Sequence, residues 1–123
     1  MVPPAMRARR APLVLAALLL AATAVFHLTG LPMVSGWFEG DKRAIMVLLW
    51  IVPAASWLLI AAFWLFRAVR GVTLDWSVLL LTAAMPLLVG VPLLALVSPL
   101  HPGGYMLIAA SVLALVSRRR GAR

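Results

Sequence analysis

The chain has 123 residues, 65% of them hydrophobic, with eleven Lys and Arg against three Asp and Glu, and no cysteine. A soluble domain carries about 25% charged side chains. Here only 11% are charged, gathered in short groups between long uncharged runs, which argues against a soluble domain and for a chain whose solvent is the bilayer.

The formal charge of +8 does not imply nucleic acid as a partner. Each basic group sits at the end of an apolar run, where Lys and Arg set topology and meet anionic headgroups. The lipid bilayer is therefore the expected partner. The lack of cysteine removes disulfides, thiolate metal sites and thiol redox chemistry.

The first apolar segment covers about 11–28, with Pro12 suited to a first helical turn. Ala17, Ala21 and Ala24 give it a small-residue face on which another helix can lie close. "MRARRAPLVLAALLLAATA" also reads as a signal peptide, with Ala22 and Ala24 as a cleavage pattern. The apolar run continues past that point through Val25, Phe26 and Leu28, so an uncleaved helix is expected.

The following loop contains "WFEGDKR", residues 37–43. Trp37 and Phe38 suit an interfacial position, Gly36 and Gly40 permit turns, and Asp41 is expected to cap the next helix.

The second segment, 44–66, is 23 residues without a charge. Trp50, Trp57 and Trp64 recur every seven residues and so share one helical face. Ala54, Ala55, Ala61 and Ala62 lie beside that stripe. A ridge of large rings next to small residues is read as a packing surface, with a pocket for a quinone, pigment or lipid tail as the alternative. The Trp57 indole, near mid-membrane, is expected to seek a carbonyl freed near Pro53.

The third segment, about 77–97, is preceded by Asp75, expected to cap it or to pair with Arg70. Pro86, Gly90 and Pro92 interrupt its apolar run. The prolines free the carbonyls of Thr82 and Leu88; such breaks mark substrate sites in transporters, but in a small bundle they are read as kinks that improve packing. The fourth segment, 102–117, is shorter than the roughly 20 residues a span needs. It draws in residues from Leu100, or lets Arg118 snorkel to the headgroups.

The loops set the orientation. Arg7, Arg9, Arg10, Arg67, Arg70, Arg118, Arg119, Arg120 and Arg123 fall on one side, Lys42 and Arg43 on the other, offset by Glu39 and Asp41. The positive-inside rule then places both termini in the cytoplasm. The expected fold is an all-α integral membrane protein: one domain, a four-transmembrane-helix bundle.

That topology collects the polar chemistry at the outer face. His27, Glu39, Asp41 and His101 could in principle form an acid–base or metal site, but no pair among them has ligand-motif spacing, so no metal and no cofactor are assigned. No phosphate loop, nucleophile elbow or metalloprotease helix occurs, and no ionisable residue lies at mid-depth in any segment. The pattern leans away from an enzyme. It favours a small non-catalytic protein of a bacterial inner membrane, an accessory subunit or a self-associating bundle. The alternative is a transporter-like protein that binds a small solute, lipid or quinone near its outer face.

Overall fold

A computed structural model of the chain describes residues 4–119, with side chains described for 10–118. Of the basic residues used for orientation, Arg120 and Arg123 lie outside the described residues, as do the side chains of Arg7, Arg9 and Arg119. The described residues form helices joined by short connections, with no strand among them.

Helix α1 runs Pro4–Thr29, beginning well before the apolar segment because Ala and Arg continue a helix readily. One turn, α2 (Leu31–Ser35), follows with Pro32 at its start. Helix α3 is Gly40–Arg70, 31 residues or about 46 Å. Asp41 does not cap it: Glu39 takes the cap position, without a side-chain hydrogen bond, and Asp41 falls in the first turn. The entry is made by Gly40 at φ +54°, a left-handed conformation that suits glycine.

The other end of α3 closes in a Schellman motif. Gly71, at φ +67°, donates to Ala68 O, and Val72 N–H donates to Arg67 O. Helix α4 is Trp76–Pro92, and Asp75 caps it by accepting from Ser77 N–H at 2.9 Å. Past Pro92 the backbone widens into a π turn, Leu93–Val97, closed by Ser98 N–H to Leu93 O. Helix α5 is Pro102–Arg119.

Three helical stretches are long and apolar enough to cross a membrane, and the fourth, Pro102–Arg118, is shorter. α1 is the central helix, packed against α3 on one side and α5 on the other, while α4 packs on α5. Its two inward faces carry Leu13, Ala16, Ala17, Leu20, Thr23 and Ala24, all buried.

On α3 the buried positions are Ala54, Trp57, Ala61, Trp64 and Ala68. Those spacings of three and four alternate small with large, so each ring fills the volume between two small residues. The outward faces are aliphatic: Leu48, Leu59, Leu81 and Leu88 are all more than half exposed.

Candidate functional site at the histidine end

The end of the bundle that holds the α1 C-terminus gathers the two histidines and the first two rings of the tryptophan stripe. His27 lies on the last turn of α1, and its ring stacks on Trp50, with centroids 4.3 Å apart and planes 12° from parallel. Trp57 meets the same imidazole edge-on at 5.2 Å.

Two reciprocal hydrogen bonds lock α1 to α3 here. The Trp50 indole N–H donates to His27 O at 2.7 Å, and His27 Nε2 lies 3.0 Å from Trp50 O. A carbonyl can only accept, so Nε2 carries the hydrogen of this bond. Gly30 leaves the space the indole occupies: a Cβ there would lie 3.0 Å from Trp50 Cζ2. Trp57 makes no hydrogen bond to a carbonyl near Pro53. Its ring meets His27 edge-on, and the neighbouring indole that does bond a carbonyl, Trp50, takes that of His27 on α1.

His101 lies in the connection before α5, at the same end of the bundle. Its Nδ1 is buried without a hydrogen-bond partner, and its ring packs over Gly103, which in turn lies near Phe26. Glu39 and Asp41 are exposed at the start of α3. Among the described residues, no three of His, Asp and Glu come together as a group able to hold a metal ion. Chemically the end therefore offers two imidazoles, one of which joins two helices by its Nε2 bond and its stacking on Trp50.

The third ring of the stripe is placed differently. Trp64 is fully buried, and its indole N–H donates to Thr82 Oγ1 on α4 at 2.9 Å. Thr82 passes its own hydrogen to Val78 O at 2.8 Å. Pro86 and Gly90, on the buried face of α4, sit where α4 and α5 cross: a Cβ on Gly90 would stand 3.0 Å from Gly104 O and from Leu107 Cβ. Pro92 is exposed and leads into the π turn.

Several structural residues outside the expected site also carry a signal in the sequence. Gly103, Gly104, Ala110, Ser111 and Ala114 give α5 a buried small-residue face at helical spacing, and it is this face that admits α1 and α4. The Thr82 hydroxyl carries no such signal, since its partner lies 18 residues away on another helix.

At the opposite end Arg10 reaches Val69 O at 3.4 Å and Arg67 donates to Thr73 O at 2.7 Å. The Arg70 guanidinium lies over Phe66 and that of Arg118 over Trp76. The Ser77 hydroxyl and backbone N–H hold the Asp75 carboxyl below the usual carboxylate range. Asp75 is hydrogen-bonded at its cap, as one of the two expected roles required.

Comparison with protein-family models, with curated proteins and with solved structures finds no match to this chain.

Proposed function

We propose that this chain is a four-span integral protein of a bacterial inner membrane, with both termini cytoplasmic. It acts without catalysis, as an accessory subunit of a membrane assembly or as a self-associating bundle. The observation that carries the reading is the distribution of polarity. Alanines, leucines and two tryptophans fill the interior, and the exposed face is also aliphatic, with Leu48, Leu59, Leu81 and Leu88 more than half exposed, as suits a surface wetted by lipid rather than water. Buried Thr23 and Ser111 return their hydroxyls to their own helices, at Leu19 O and Leu107 O, so the interior offers little polar chemistry to a solute. Transport and proton relay usually rest on an ionisable group at mid-membrane, and here the ionisable groups sit at the two ends.

Copurification from native membranes under mild detergent tests this. The expected result is a stoichiometric partner subunit or a homo-oligomer, with turnover of no small substrate. A second reading, a lipid, quinone or small-solute site near the outer face, draws on the buried, unpartnered Nδ1 of His101 at the end of the bundle where His27 stacks on Trp50. Recovery of a stoichiometric small molecule that His101→Ala releases would favour it over the first.

A further inference from the structure

The basic end of the bundle combines charge with an apolar surface. An open groove runs there between α1 and α3, lined by Arg10, Ala11, Val14, Leu15, Ala68 and Val69. Its walls are aliphatic and its mouth carries a guanidinium. Of the described side chains at this end, Arg10, Arg67, Arg70 and Arg118 are cationic and Asp75 alone is acidic. The sequence adds Arg7 and Arg9 before Arg10, and Arg119, Arg120 and Arg123 after Arg118. At the other end Lys42 and Arg43 are offset by Glu39 and Asp41.

We infer that this groove is a binding site for one anionic phospholipid. Its phosphate sits at Arg10, and the upper part of an acyl chain lies along Ala11, Val14, Leu15 and Val69. The inference rests on the membrane reading above.

Two physical arguments select this occupant. Basic residues between helices on the cytoplasmic side attract anionic headgroups, each contributing through a field that falls off within a Debye length. A guanidinium fork also matches phosphate oxygens in a way a zwitterionic headgroup, with its own cation, competes against. The groove then supplies what a free anion cannot use, an apolar wall continuous with the bilayer interior. The site would also tie the lipid to the helix pair that Arg10 already joins through Val69 O.

Native mass spectrometry of the full chain, loaded with an equimolar mixture of phosphatidylglycerol and phosphatidylcholine of identical chains, tests this. The wild type should retain one phosphatidylglycerol about fivefold over phosphatidylcholine, the effect of one basic residue near the surface. Arg10→Gln should lower that preference about fivefold. Ala11→Phe fills the groove at an exposed position without touching charge and should lower retention while the helical circular dichroism stays unchanged. Equal retention of the two lipids, or a preference that survives both substitutions, would overturn the inference and leave the membrane reading standing. Complete displacement by millimolar inorganic phosphate would also overturn it, by assigning the site to a free anion. Retention of no lipid at all would overturn the inference, while the topology reporters test the membrane reading separately.

Discussion

Truncating Trp64 to alanine is expected to be the most destabilising single change on α3. The ring is fully buried, lies between Ala61 and Ala68 on the inward face, and reaches α4 through its bond to Thr82. Removing a buried tryptophan costs about 3–5 kcal/mol where the surroundings cannot collapse. Lipid tails cannot easily refill this site, because α1 packs along the same face of α3.

The hydrogen bond is the smaller part. Interhelical bonds in membranes average about 0.6 kcal/mol and reach about 1.7, so Trp64→Phe should lose much less than Trp64→Ala. Thr82→Val leaves the indole N–H buried without an acceptor, a loss of about 1–3 kcal/mol. The double variant Trp64→Phe with Thr82→Val should then cost less than the sum of the two single changes. Reversible unfolding in mixed micelles, followed by far-UV circular dichroism, measures all four. Trp37, 66% exposed, is the control, and Trp37→Ala should fall within about 0.5 kcal/mol of wild type. If Trp64→Ala behaved like Trp37→Ala, the packing account of the stripe would be refuted.

Three further outcomes are expected. Gly90→Leu should lower the unfolding free energy by at least about 1–3 kcal/mol, because its Cβ would press on the backbone of Gly104; an unchanged thermal midpoint in detergent would contradict the close α4–α5 crossing. Asp75 has a folded-state pKa held below its unfolded value, so the cap's contribution is fully present above about pH 4 and is lost as pH falls through the folded pKa. The midpoint difference between wild type and Asp75→Ala should therefore shrink on acidification, and a difference that grew would reverse the assignment. Intact mass of the mature protein should include α1, since cleavage after Ala24 would remove the helix on which both α3 and α5 pack.

The periodic features were legible in the sequence because a helix turns regularity into a face. Seven-residue spacing places Trp50, Trp57 and Trp64 together whatever the rest of the chain does. The same spacing does not tell which neighbour points inward. Ala54 and Ala61 are buried while Ala55 and Ala62 are exposed, a choice set by the position of α1.

The Asp41 expectation failed at a local detail. Gly40 enters the helix in a left-handed conformation, which moves the start four residues ahead of the apolar run and leaves Asp41 inside it. The His27–Trp50 exchange was out of reach for a different reason. It joins residues 23 apart and depends on the register of α3 against α1, which no local pattern encodes. The Trp64–Thr82 bond is alike in this.

Topology is the claim on which the rest depends. Paired reporters, one active only in the cytoplasm and one only outside it, fused after Arg123 and inserted at Gly40, test it directly. The account predicts cytoplasmic signal at Arg123 and external signal at Gly40. External signal from the Arg123 fusion, or the same side for both, would contradict four spans with both termini inside.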